Sequence, residues 1–461
     1  MRTLAKCGML LCAGTYAFAQ TFTTIANFNG ANGSQPYYET LIQGTDGELY
    51  GTTENGGASN SCANGCGTIF RVTRDGVLTT LVSFDQTNGA QPYAGLTLGT
   101  GGEYYGMTYA GGDSGQGTVF RMSPAGQLTP LHSFSYLVDG ANPMTALIQA
   151  ADGDFYGTTF QGGTLGFLSY GTVFKITASG ALTTFLTFNI DDGAYPEGAL
   201  IQAADGDLYG TANSGGTYFY GSVFQITPAR KFTTYYSFSS PDLYPQAGLL
   251  QGSDASLYGT AYGVGNNPGT IFAINTNVQL TTLHTFCSEA DCADGEHPTG
   301  PLIQATDGNY YGMTPEGGAN GLGTIFQVTS TGTYTVLYSF AGSDGSTPYG
   351  GLLQATDGNF YGTTYAGGAS SGGTVFRFST GLGPFIKTLP TIAAEGARVM
   401  ILGYGLTGAT SVTFNGTPAS FTVNSSGTAI TTSVPEGASS GPVEVVAPGG
   451  ALLSNTPFVV R

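Results

Sequence analysis

Tryptophan is absent from this 461-residue sequence, histidine occurs three times, and only 9% of residues carry a charge. Lysine and arginine together number 12 against 29 acids, for a formal net charge of −17. A field of that sign repels phosphate backbones and anionic lipid, so nucleic acid is not an expected partner. Three histidines leave little material for acid–base or metal chemistry. The absence of tryptophan counts mildly against a carbohydrate-binding platform. Long apolar runs are lacking too. Cys7–Ala17 is the apolar run that follows Arg2 and Lys6, and it is too short to span a bilayer. With the small-x-small step Ala17-Phe18-Ala19 behind it, residues 1–19 have the layout of a secretory signal peptide cleaved after Ala19. The expected location is secreted, extracellular or at the cell surface, with no transmembrane segment in the mature chain.

Two of the six cysteines would leave with that leader. The others form two close pairs inside loop insertions, Cys62 with Cys66 and Cys287 with Cys292. Export makes local disulfides the expectation. A metal site would need further ligands beside them, and no histidine adjoins either pair.

What the sequence has in abundance is glycine (75), tyrosine (28) and phenylalanine (28), the composition of a turn-rich β protein. A Tyr-Gly pair recurs at Tyr50, Tyr105, Tyr156, Tyr209, Tyr258, Tyr311 and Tyr361, in steps of 49 to 55 residues. Such a period marks stacked units that cannot bury their apolar faces alone, and its length suits a four-stranded propeller blade. Each unit reads as four strands. A Leu-Ile-Gln run is followed by an Asp-Gly turn (Asp46-Gly47, Asp152-Gly153, Asp205-Gly206), whose residues tolerate positive φ. The Tyr-Gly-Thr strand comes next, its glycine marking a close approach by a neighbour. A Gly-Thr-Val/Ile-Phe strand then places alternate residues such as Thr118, Phe120 and Met122 on one face. The fourth strand ends in Ser/Thr-Phe, at Phe84, Phe134, Phe188, Phe238, Phe286 and Phe340.

That last motif occurs six times for seven repeats. The missing copy lies at the other end, in Thr21–Phe28, ahead of the first Leu-Ile-Gln. A ring in which the N-terminal strand completes the last blade accounts for both facts and leaves no open edge. The predicted fold is therefore all-β: a seven-bladed β-propeller over residues 20–384, closed by an N-terminal strand. The short 1–2 and 3–4 turns should share one rim, and the longer 2–3 and 4–1 loops the other. Binding is expected on the long-loop face. From residue 385 the period stops, and short alternating strands such as Arg398–Leu402 and Ser411–Phe414 predict a small β-sandwich over 385–461.

The repeat unit resembles the GloVer tandem repeat of secreted bacterial choice-of-anchor proteins across nearly all of residues 20–384. The tail is similar to an IPT/TIG domain, an immunoglobulin-like module, through Ile401-Leu402-Gly403, the Val412–Gly416 run and Ser440-Gly441-Pro442. The resemblance implies an architecture and brings no catalytic residue with it.

Few residues offer chemistry. His132 and His284 share a fourth-strand slot that other repeats fill with Val82, Leu186, Tyr236 or Tyr338, which marks a packing position. His297 lies instead in a 4–1 loop beside Asp294 and Glu296. That loop repeats an Asn/Asp-Gly-x-x-Pro pattern. Its acids Asp139, Asp192, Asp294 and Asp344, with His297, are the candidate ligand-binding residues of the long-loop face. The same pattern is also what a tight chain reversal requires. No metal ligand set, cofactor or catalytic residue is expected. The primary expectation is a secreted, monomeric, non-catalytic binding scaffold whose partner is an extracellular glycan or envelope protein. A polysaccharide hydrolase or lyase working on the long-loop face is the alternative, and a structural envelope or matrix component a third.

Overall fold

A computed structural model describes residues 20–38, 40–240 and 242–461. The leader expected at residues 1–19 lies outside the described residues. In the first repeat, β2 (Ile42–Gln43), β3 (Leu49–Thr53), β4 (Thr68–Val72) and β5 (Leu78–Ser83) form one antiparallel sheet in chain order. Five further sheets repeat that meander. In the last four-stranded unit the outer strand is β1 (Thr21–Asn27), which pairs antiparallel with Thr374–Ser379. The chain is thus all-β and propeller-like, with β1 supplying the strand that the final repeat lacks. Phe22 of β1 stacks on Tyr338 of the preceding sheet at 4.0 Å between ring centroids.

The Asp-Gly turn and the Tyr-Gly strand turn out to be one device. Gly47 has φ 83°, and the Asp46 carboxylate accepts both the Glu48 amide (3.1 Å) and the Tyr50 hydroxyl (2.7 Å). The same tyrosine-to-aspartate bond, four residues apart, recurs at Tyr156, Tyr209, Tyr258, Tyr311 and Tyr361. A large apolar ring is thereby buried with its polar tip satisfied.

The third strand of each repeat is covered on both of its faces. Thr118, Val119, Phe120 and Met122 are all buried, on both faces of the strand. Each sheet is flanked by two others, so its inner strands have no solvent side. Rings stack between successive sheets, as in Tyr105 on Phe155 (3.9 Å) and Tyr258 on Tyr310 (4.1 Å). The ring closes through Gln43, whose side-chain amide donates to the Thr356 hydroxyl (2.8 Å) and accepts from the Thr356 backbone (2.9 Å).

Beyond residue 385 two four-stranded sheets form. One joins Lys387–Leu389, Arg398–Leu402, Ala429–Ser433 and Phe421–Val423. The other joins Thr417–Pro418, Ser411–Phe414, Val443–Ala447 and Gly450–Leu453. Val399, Ile401, Phe414, Ile430, Val445 and Phe458 make their shared core. This tail lies against the tight-turn side of the ring. Asn424 and Thr428 donate to the Thr45 carbonyl, Arg461 to that of Ala204, and the Phe385 amide to that of Thr356. All three acceptors sit in 1–2 turns, so the tail covers one end of the ring and leaves the long-loop end uncovered.

Candidate functional site

At the long-loop end, all seven 4–1 loops share one unusual backbone feature. The residue before the loop proline has positive φ in every repeat: Gln35, Gln91, Asn142, Tyr195, Tyr244, His297 and Thr347, between 51° and 59°. Six of these loops are also bridged to the neighbouring 2–3 loop, as in Ala90 with Ala110 and Glu296 with Glu316. The rim is therefore a fixed frame on which side chains differ from repeat to repeat.

The predicted aspartates do not form an exposed ring on that frame. Asp139 and Asp294 are 7% and 1% exposed. Asp139 accepts the Ser135 amide (2.8 Å) and lies 2.6 Å from His132 Nε2. Asp294 accepts the amide and hydroxyl of Ser288 and lies 3.1 Å from His284 Nε2. Asp344 accepts the Ala341 amide and the Tyr338 hydroxyl. Asp192 is half-buried, and its own amide donates to Asn189. Burial pushes the Asp192 carboxyl above its ordinary value. These acids fasten strand ends to their own loops, because a short reversal strands backbone amides that a nearby carboxylate can accept. The shared slot of His132 and His284 is accordingly a hydrogen-bonding position as well as a packing one.

His297 keeps one of the two acids beside it in sequence and gains another from a neighbouring loop. Asp294 turns away to His284, while His297 Nδ1 lies 3.4 Å from Glu316 and 3.9 Å from Glu296. Its ring stacks on Tyr262 at 4.8 Å. Glu296, His297 and Glu316 are the described residues whose donor kinds best suit a divalent transition metal, since the Cys287 and Cys292 sulfurs are joined in a disulfide. Cys62 and Cys66 are bonded likewise.

Inside the rim lies a group that sequence reasoning did not single out. Tyr37 packs its ring against Tyr38 (4.3 Å), Tyr93 (5.2 Å), Tyr349 (5.1 Å) and Tyr365 (5.6 Å). Tyr93 in turn stacks on Tyr109 at 4.5 Å. Tyr37, Tyr93 and Tyr349 directly follow the loop proline, and the same place holds Glu197 in another repeat. These rings are half-buried and keep free surface. Below them a cavity of about 70 Å³ is lined by Tyr38, Met144, Glu197, Gln246, Thr299 and Tyr349. Burial pushes the Glu197 carboxyl up to about 7, partly offset by a hydrogen bond from the Asn213 side chain. Glu54 is also raised by burial, and burial first, with Glu54 nearby, raises the Tyr93 hydroxyl. The mouth thus combines aromatic faces with carboxylates whose proton affinity is high. Comparing repeats at the loop proline would have found it, because a position that changes from Tyr to Glu on an unchanging backbone is free of structural duty.

The sequence profile of the Gloeobacter/Verrucomicrobia repeat matches residues 13–204 and 198–430. The chain belongs to that family. The family assignment accords with the internal period and with the GloVer resemblance. No curated protein sequence matches the chain. Among solved structures, a fungal alcohol oxidase of the AA5 family, in complex with copper, is similar at 13% identity and a TM-score of 0.47, over 93% of this chain and 98% of that one. A putative 6-phosphogluconolactonase from Bacteroides fragilis is similar at 19% identity and a TM-score of 0.46, over 73% and 99%. The Pseudomonas aeruginosa periplasmic gluconolactonase stands at 16% identity and a TM-score of 0.46, over 71% and 98%. Among the described residues, no helix is long and apolar enough to cross a membrane.

Proposed function

We propose that this repeat-family protein is a secreted, non-catalytic binding module: a seven-bladed β-propeller with an immunoglobulin-like IPT/TIG tail, which holds an extracellular glycan at its long-loop mouth. The observation that carries this reading is the half-buried cluster of Tyr37, Tyr38, Tyr93, Tyr349 and Tyr365 beside Glu197. Tyrosine rings offer flat apolar faces for sugar rings, and the phenols and carboxylates offer hydrogen bonds for hydroxyls. The tail supports the same direction, since it occupies the opposite end of the ring and leaves this mouth accessible. Binding of oligosaccharides by the purified protein, compared with Tyr93→Ala and Tyr349→Ala, tests the reading. Loss of binding in both variants supports it, and unchanged binding refutes it.

One observation favours a second reading. A carboxyl raised to about 7, as at Glu197, is suited to donating a proton to a leaving group, which a polysaccharide hydrolase requires. Release of reducing sugar by the wild type and its loss in Glu197→Gln would establish that reading in place of the first.

A further inference from the structure

A second cavity, of about 370 Å³, lies where the tail meets the ring. Its walls are apolar: Ile42, Leu98, Leu147 and Leu353 come from the first strands of the repeats or the residues beside them, and Leu389 and Leu402 from the tail. The glutamines at its edge are already engaged. Gln43 pairs twice with Thr356, and Gln354 twice with Thr306. Gln304 accepts from the Ser253 amide and donates to the Gly308 carbonyl.

Two polar groups in the lining are not engaged. Asn455 Oδ1 is buried without a hydrogen-bond partner. Lys387, opposite Leu402 in the edge strand of the tail, also lines the cavity and is half-buried. Among the described residues its amine has no hydrogen bond or ion pair. Burial alone pushes it below the ordinary lysine value, with no carboxylate contributing. A half-buried amine without a partner has lost part of its hydration, and an anion delivered to it offsets that cost.

We propose that this cavity binds a monoanion carrying one short hydrocarbon chain, its carboxylate against Lys387 and its chain along the leucine wall. The volume falls in the range of about 300–1,000 Å³ usual for small-molecule sites. It holds one chain and excludes a two-chain phospholipid. The asymmetry of the lining, one unpaired amine in a mostly apolar surface whose glutamines are already engaged, fits an amphiphile better than a free inorganic ion.

The test is calorimetric titration of the purified protein with decanoate below its micellar concentration, beside decanol (chain without charge) and acetate (charge without chain). One decanoate per chain is expected, with decanol and acetate at least tenfold weaker. Lys387→Met should weaken decanoate tenfold or more and leave decanol unchanged, while Lys387→Arg retains binding. If Lys387→Met does not fold, the lysine ¹³Cε resonances of the wild type decide the matter, because decanoate should shift that of Lys387. Equal affinity for decanoate and decanol, no saturable binding, or decanoate affinity indifferent to Lys387→Met would each overturn the proposal.

Discussion

His132 Nε2 lies 2.6 Å from a carboxylate oxygen of Asp139, seven residues further along the chain. The contact fastens the end of a fourth strand to the loop that leads into the next sheet. His284 and Asp294 repeat it at 3.1 Å, and Tyr338 does the same for Asp344 with a phenol. An imidazole and a phenol serve alike here because either can donate to a carboxylate that the loop has already turned inward.

The acid should therefore matter more than its strand partner. Asp139→Ala leaves the Ser135 amide and His132 without their acceptor and should cost about 1–3 kcal/mol. His132→Leu should cost less, because a leucine, Leu186, occupies that slot in the next repeat. Urea unfolding midpoints of the two variants check the order.

A second prediction concerns the glycine of the Tyr-Gly strand. A Cβ at Gly312 would lie 2.5 Å from Phe326 Cζ and 2.9 Å from Leu302 Cδ2. Both neighbours are buried, so Gly312→Ala should destabilise by about 1–3 kcal/mol through overpacking. Thermal unfolding would measure it, and an unchanged midpoint would contradict the packing account.

The architecture was legible because it is written seven times. The period, the four strands of each repeat and the strand lent by Thr21–Asn27 all follow from motif counting, and the pairing of β1 with Thr374–Ser379 agrees. What the pattern leaves open is decided by tertiary context. Period two places Thr118, Phe120 and Met122 on one face, and neighbouring sheets bury Val119 on the other face as well. Of the two acids beside His297 in sequence, Glu296 stays near it (3.9 Å) and Asp294 pairs with His284, while Glu316, 19 residues away, reaches it through a loop-to-loop bridge. The tyrosine mouth escaped notice because Tyr37, Tyr93 and Tyr349 look like ordinary members of an aromatic-rich sequence until the ring brings them together.

The disulfides close loops of only a few residues, Cys62 to Cys66 and Cys287 to Cys292. Loop-closure entropy for so short a span is worth about 2 kcal/mol. Cys62→Ser/Cys66→Ser should lower the unfolding midpoint by that order while leaving the circular dichroism spectrum intact, since other repeats fold without cysteine. Loss of the β spectrum would contradict this local role.

Glu197 predicts a pH dependence with a definite sign. Its folded value, near 7, exceeds the usual 4.5, so the folded state holds the proton more tightly. The associated stabilisation is complete below about pH 4.5 and is lost as pH rises through 7, on the order of 3 kcal/mol. Glu197→Gln should therefore gain on the wild type by roughly that amount between pH 4.5 and 8. Paired urea titrations across that window measure it, and parallel stability profiles would contradict it.

The central claim is that the tyrosine mouth binds an extracellular glycan without transforming it. Its most direct test is a glycan and polysaccharide array probed with the wild type, Tyr93→Ala and Tyr349→Ala, with the supernatant assayed for released sugar. The account predicts a saturable hit that both substitutions abolish, with no sugar released. A hit that survives both substitutions, silence on every glycan, or released product would contradict it.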